Sequence, residues 1–314
     1  MTSRPRHTRR KAIIGALLSA AAAATALSGC GAPPPGATPA PAGPTPSLST
    51  LGETPQQLAG GWQVVAAGDR VLDRTRNAYV ALTMPRGGVI DPTGSRYATD
   101  SGQLSIVEVA GGKTTKVDRV VRLGSPVDPW SADGARLVAT INRKDPYAVG
   151  FAVIDAATGK FTEHWLDRTK YDCSNCAFVF TRDGKEVAMA IPDRSQGEAA
   201  ELVRSVQLFD AGTGAPTRSL PVKAMPQSPF AWSPDGRQVV ANPDILKEGD
   251  QVLVDTTTGE ARPFPYPAVW ATADTLLAKF DDGVLTLRPD GTVVADASLA
   301  APLSAPLVLG PPAS

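Results

Sequence analysis

Histidine is almost missing from this chain: of 314 residues, only His7 and His164 are histidine. A catalytic triad, a histidine metal centre or most acid–base pairs in the body of the protein would have to pass through His164. No nucleophile-elbow pattern accompanies it. Its neighbours Glu163 and Trp165 read as strand, so His164 is expected on the solvated face of a strand. Cysteine is scarce as well, limited to Cys30, Cys173 and Cys176. An excess of positive charge is missing too, with 31 basic residues against 31 acidic ones. A nucleic-acid-binding surface needs a basic patch, and this balance argues against one. Beyond the N-terminus no apolar run approaches the ~20 residues that span a bilayer. What is plentiful is turn chemistry. Gly and Pro stand at 29 each, which favours many short strands over long helices.

Residues 1–29 read as a processing segment. Arg4, Arg6, Arg9, Arg10 and Lys11 form a basic region, and residues 12–27 an alanine-rich apolar one, too short to span a bilayer. Leu27-Ser28-Gly29-Cys30 closes it and resembles a bacterial lipobox. That resemblance implies a diacylglyceryl thioether on Cys30, cleavage before it, and Cys30 as the mature N-terminus. An ordinary signal peptide with an incidental cysteine is the plainer alternative. Thr8-Arg9-Arg10-Lys11-Ala12 also resembles a twin-arginine export signal, with Ala12 where that signal usually has Phe. Either route ends on the outer face of the membrane, where two acyl chains give a stable anchor.

Residues 30–50 form the lipidated end and a linker, with seven prolines between Pro33 and Pro46. Proline favours extended polyproline II at about 3.1 Å per residue, a tether of several nanometres. Removing residues 1–29, which hold five basic residues and no acidic one, leaves 26 basic against 31 acidic residues, a net charge of −5. Arginine outnumbers lysine and alanine is abundant, a bias of GC-rich genomes. With it, a Gram-positive surface is expected rather than a periplasm.

Residues 51–314 carry a repeated turn. Its copies are Ile90-Asp91-Pro92-Thr93-Gly94, Trp130-Ser131-Ala132-Asp133-Gly134, Phe180-Thr181-Arg182-Asp183-Gly184, Trp232-Ser233-Pro234-Asp235-Gly236 and the degraded Trp270-Ala271-Thr272-Ala273-Asp274. Each opens on a large apolar residue, and a β-rich run follows. A second turn alternates with the first: Asp155 to Gly159, Asp210 to Gly214 and Asp255 to Gly259, with looser copies ending at Gly112 and Gly291. In the cleanest copy, residues 229–233 read as a first strand, 237–241 as a second, 251–255 as a third and 260–263 as the start of a fourth. Four short antiparallel strands in about 40 residues make one propeller blade. A two-sheet sandwich would show turns without this period. The repeats resemble TolB-type and WD-type β-propeller repeats over roughly residues 85–295. The Trp-Asp and Gly-His pairs of true WD repeats are absent, so the TolB-like form fits better.

The expected fold is therefore all-β, a single propeller of four-stranded blades, six favoured and five or seven open. Residues 62–66, 78–84 and 303–309 supply strands from both ends for a closing blade. Gly94, Asp133, Gly134, Asp183, Gly184, Asp235 and Gly236 are expected to be structural turn residues, and Trp130, Trp232 and Trp270 inter-blade packing. Asp281-Asp282-Gly283 is too short for a calcium loop and reads as a hairpin turn. The irregular segments 142–149, 167–176 and 192–204 are the loops where binding residues are expected.

No catalytic residue, cofactor or metal-ligand set emerges. The leading expectation is a lipid-anchored, extracytoplasmic binding or assembly module for a protein or envelope ligand. A calcium-dependent hydrolase or lyase acting on envelope carbohydrate is the alternative, and a sensor lipoprotein reporting to a membrane partner a third. Convergent carboxylates at the channel mouth would favour the enzyme; a channel lined by small and apolar residues, with a broad exposed patch on one face, would favour the binding module. Cys173-Ser174-Asn175-Cys176 admits a structural disulfide, a metal site with His164 and Asp172, or redox chemistry. Export favours the disulfide; the metal lacks an evident fourth ligand, and Ala177 stands where haem attachment would need histidine. The closed loop is tiny, so its effect is local stiffening. Mass spectrometry of the non-reduced protein is expected to link Cys173 to Cys176; two free thiols in protein taken from the cell surface would refute this.

Overall fold

The structure is a computed structural model that describes residues 55–85, 87–100, 102–119, 121–123, 127–171, 176–196, 202–244, 251–280, 283–298 and 307–313. The leader, Cys30, the proline-rich linker, Cys173 and the Asp281-Asp282 pair lie outside them.

Six sheets form six propeller blades. Blade 1 comprises Val89–Ile90, Arg96–Thr99, Ser105–Glu108 and Thr114–Lys116. Blade 2 comprises Arg136–Lys144, Tyr147–Asp155 and Phe161–Trp165, with its innermost position held by single bridges from Arg122 to Thr140 and Trp130 to Leu137. Blade 3 runs Phe178–Phe180, Glu186–Pro192, Val203–Asp210 and Pro216–Leu220. Blade 4 runs Met225–Pro226, Gln238–Asn242, Gln251–Asp255 and Ala261–Phe264, and blade 5 Ala268–Trp270, Leu276–Phe280, Gly283–Leu287 and Val293–Ser298. Blade 6 takes its innermost strand, Leu307–Gly310, from the far end of the chain and pairs it with Gln63–Ala67, followed by Arg70–Asp73 and Ala78–Ala81.

Burial falls from the axis outward. Gln63–Ala67 is buried at every position, whereas Thr114–Lys116 and Ala261–Phe264 are largely exposed. A strand near the axis has a neighbouring blade on each face; an outer strand does not. The apolar core accordingly falls into six clusters, one at each blade interface. The large residue that opens each first turn is the wedge. Ile90 packs between blades 6 and 1, Trp130 between 1 and 2, Phe180 between 2 and 3, Trp232 between 3 and 4, and Trp270 between 4 and 5. All three tryptophans are buried, as expected of packing residues.

The first turns share one hydrogen-bond pattern. Ser131, Thr181 and Ser233 each donate their amide five residues ahead, accept the glycine amide of Gly134, Gly184 or Gly236, and donate their hydroxyl to Asp133, Asp183 or Asp235. Each glycine has positive φ, 67°, 66° and 71° in these copies, a region closed to most side chains. In the second turns, Asp155, Asp210 and Asp255 accept two backbone amides each.

Antiparallel order assigns both turn families to one face of the ring, since each first turn follows a first strand and each second turn follows a third. The connections between second and third strands, and those between blades, leave from the opposite face. The described ends of two of the irregular segments, 192–196 with 202–204 and 167–171 with Cys176, belong to that irregular face. Two sequence expectations change here. Residues 142–149 are not an insertion, because Arg136–Lys144 and Tyr147–Asp155 pair along their whole length. Residues 229–233 are not a strand; Pro229–Ala231 is a 3-10 turn opened by proline, and the first strand of blade 4 is Met225–Pro226.

Arg74 secures the closure. It donates Nε to Thr93 O at 2.8 Å, Nη1 to Gln63 Oε1 at 2.9 Å and Nη2 to Pro311 O at 2.7 Å, so one side chain ties both ends of the domain to blade 1. Gly310 allows the last strand to approach, since a Cβ there would lie 1.9 Å from Pro92 O and 2.5 Å from Val65 Cγ2. Gly310→Ala is expected to destabilise the domain by about 1–3 kcal/mol, read as a lower urea midpoint; an unchanged midpoint would mean that the closing strand has room to move.

Candidate functional site

The inner strands enclose a cavity of about 450 Å³ at the irregular face. Blades 1, 2, 4, 5 and 6 line it, chiefly with Val89, Ile90, Val127, Phe230, Val269 and Leu309. The polar lining is sparse: Asp128, Gln227, Ser228, Gln251 and Lys279. Size and composition match small-ligand sites, which are mostly apolar with a few placed polar groups.

The floor comes from blade 4. The Pro229–Ala231 turn sets the Phe230 ring into the axis, edge-on to Trp62 with ring centres 4.9 Å apart. Arg182, from the first turn of blade 3, stacks on Phe230 with its guanidinium carbon 5.3 Å from the ring centre. Its Nη1 donates to Trp232 O at 3.2 Å and Trp270 O at 2.9 Å, joining blades 3, 4 and 5. Burial lowers the Arg182 pKa from its ordinary value, although an arginine stays charged at any physiological pH. Arg182 and Phe230 together close the channel toward the turn face.

Asp128 sits on the wall. Its amide donates to Gln227 O at 2.7 Å, and its Oδ1 accepts from Trp130 N at 3.0 Å. Its side chain lies deep in the molecule yet keeps part of its surface open to the channel. Burial pushes its pKa up to about 7; the Trp130 amide opposes the shift, and nearby Asp91 adds to it. Asp91 is itself fully buried in the first turn of blade 1, where blades 2, 3 and 4 have Ser131, Thr181 and Ser233 and blade 5 has Ala271. Burial raises its pKa against hydrogen bonds from Ser95 and Thr93.

The sequence does carry a signal for Asp128 that its turn pattern alone does not flag. The residue two places before each wedge is Gly88, Asp128, Phe178, Phe230 and Ala268. Blade 2 alone puts a charge there, and the ring turns that position toward the axis in blades 2, 4 and 5.

The residues singled out by sequence lie elsewhere. His164 is not solvated but buried in the fourth strand of blade 2, against Phe151, with ring centres 4.9 Å apart. A Cβ on Gly214 of blade 3 would lie 2.4 Å from His164 Nδ1, so the turn glycine makes room for the imidazole. Burial lowers the His164 pKa, with the Ala211 backbone and Asp210 opposing. Cys176 leads into blade 3, its carbonyl accepting from Thr140 Oγ1 at 3.1 Å and its sulfur 3.5 Å from Met189 Sδ. Among the described residues, no three His, Cys, Asp or Glu side chains are placed to share a metal ion.

No family model matches the chain, and no curated protein matches it in sequence. Solved structures do. KlAtg21, in its complex with the coiled coil of AgAtg16, is similar at 14% identity and a TM-score of 0.46, over 73% of this chain and 76% of that one. A TolB from Agrobacterium tumefaciens is similar at 15% identity and a TM-score of 0.46, over 78% of this chain and 98% of that one. The likeness is one of fold. Neither neighbour's partner or role comes with it.

Asp128 makes stability depend on pH. In the unfolded chain it ionises near its ordinary value of 3.8; in the folded protein it holds its proton to about 7. Between these values the unfolded state binds fewer protons, so this group's contribution falls as pH rises through that window. Asp128→Asn is expected to gain stability over the parent as pH rises from 4 to 8, on the order of 2 kcal/mol. Urea denaturation at both pH values checks it; equal differences at the two would disprove the shift.

Proposed function

We propose that the protein is a membrane-anchored, extracytoplasmic β-propeller that binds a ligand or protein segment at the mouth of its channel and carries out no reaction there. The observation that carries this reading is the lining of the cavity. It is apolar on the walls supplied by five blades, and Asp128 is its single carboxylate among the described residues. A hydrolase or lyase of the calcium-dependent kind would bring several carboxylates together at that mouth. An apolar, preformed cavity with few polar groups suits recognition instead.

The anchoring part of the proposal is supported by the Leu27-Ser28-Gly29-Cys30 tetrad, the basic and apolar segments before it and the proline-rich tether after it. The net charge of −5 expected once the leader is removed suits a soluble body held near a surface. The Cys173–Cys176 disulfide belongs to the same extracytoplasmic reading.

Two variants test the two halves separately. Cys30→Ser is expected to shift the protein from the membrane to the soluble fraction; retention on membranes would overturn the lipoprotein assignment. Ala268→Trp, which fills the cavity from the wall, is expected to abolish cross-linking to the bound ligand or protein segment while the thermal midpoint stays within a few degrees. Undiminished cross-linking by this variant would move the binding surface away from the channel.

A further inference from the structure

We propose that the channel cavity selects ligands with an apolar body and a single protonated amine, the ammonium pairing with the Asp128 carboxylate. This rests on the channel being the ligand site and specifies what it takes.

The chemistry follows from what surrounds Asp128. Its Oδ1 accepts one hydrogen bond, from the Trp130 amide, whereas a buried carboxylate that is to stay charged is ordinarily paired. Its charged and titratable neighbours are few. Asp91, from blade 1, repels the ionised form. Lys279, from blade 5, lines the same cavity but is exposed and has an interaction of its own. The lining from blade 4 (Gln227, Ser228, Gln251) and from blade 6 (Leu307, Val308, Leu309) has no titratable side chain. Among the described residues, no cation is placed against the Asp128 carboxyl, whose one hydrogen-bond donor is the Trp130 amide.

An entering ammonium supplies that cation. Its N–H groups donate to the Asp128 carboxylate while its apolar body covers Val89, Val269 and Leu309. The balance is one proton: where Asp128 holds a proton before binding, that proton leaves to solvent as the ion pair forms. Affinity for an amine is then strongest above the Asp128 pKa and weaker below it, because at lower pH the proton competes with the ligand. A neutral alcohol of equal length does not exchange this proton and has no such dependence. A carboxylate of equal length meets Asp128 as a like charge and is disfavoured.

The test uses three eight-carbon probes below their aggregation limits: n-octylamine hydrochloride, 1-octanol and sodium octanoate. Each is titrated calorimetrically into the soluble Cys30→Ser protein at pH 8 and pH 5.5. Octylamine is expected to bind at least about tenfold more tightly than octanol at pH 8, as a charge-assisted hydrogen bond provides, with the preference shrinking at pH 5.5. Asp128→Asn is expected to remove the preference and keep octanol binding. Octanol binding as tightly as octylamine, or a preference that survives Asp128→Asn, would overturn the amine assignment and leave the channel as the site. Failure of all three probes to bind would overturn the channel reading itself. The parent's pH series answers the same question should Asp128→Asn not fold.

Discussion

The structure depends on one strand pairing. Leu307–Gly310 lies against Gln63–Ala67, 240 or more residues away in sequence, and that ladder closes the row of six blades into a ring. Every blade in a ring buries both of its faces; without the ladder, blades 5 and 6 would each present an open face, and Gln63–Ala67 an unpaired edge. The closure is reinforced where it is narrowest. Arg74 gathers oxygens of Gln63 and Pro311, near the two ends of the propeller, and of Thr93 in blade 1, and Gly310 leaves room where a Cβ would meet Pro92 O and Val65. The six apolar clusters between the blades stabilise an arrangement that this ladder makes continuous.

The same ring creates the cavity. Five wedges, Ile90, Trp130, Phe180, Trp232 and Trp270, hold neighbouring blades at a spacing that leaves room at the axis. What fills it is irregular. Phe230 arrives on a proline-initiated turn, Arg182 crosses from the next blade to cap it, and Asp128 remains on the wall at a cost in stability near neutral pH. Arg182 is bound by backbone carbonyls of two blades, so it acts as a tie between them. The backbone of Asp128 ties blade 2 to blade 4 through Gln227, whereas among the described residues its carboxyl accepts only the Trp130 amide.

Much of the fold was legible because the turns are local. Asp133-Gly134 and its copies dictate positive φ and a fixed hydrogen-bond pattern whatever lies around them, and their period specified blades. The closing strand was legible as apolar residues left over at 303–309. The features that escaped notice depend on neighbours far away in sequence. Pro229 to Ser233 has the composition of a strand, but the axis needs Phe230 there, and proline at the start of the turn allows it. His164 alternates as a solvated strand residue would, yet the Gly214 turn of the next blade covers it. Asp128 precedes a wedge like any other residue at its position, and only ring closure turns that position into a channel wall.

The two faces also differ in how the chain meets them. Gln63 begins its strand, and Gly310 ends its own, at the face of the regular turns. The cavity opens at the other. A pull exerted between a tether joined at Pro55 and a molecule seated on Asp128 would therefore run lengthwise along Gln63–Ala67. That strand is held on one side by Leu307–Gly310 and on the other by Arg70–Asp73. Such a load strains the bonds of both ladders together and does not peel them one at a time. The arrangement that closes the ring would thus also resist tension along that strand if the protein is tethered and binds at the channel as proposed.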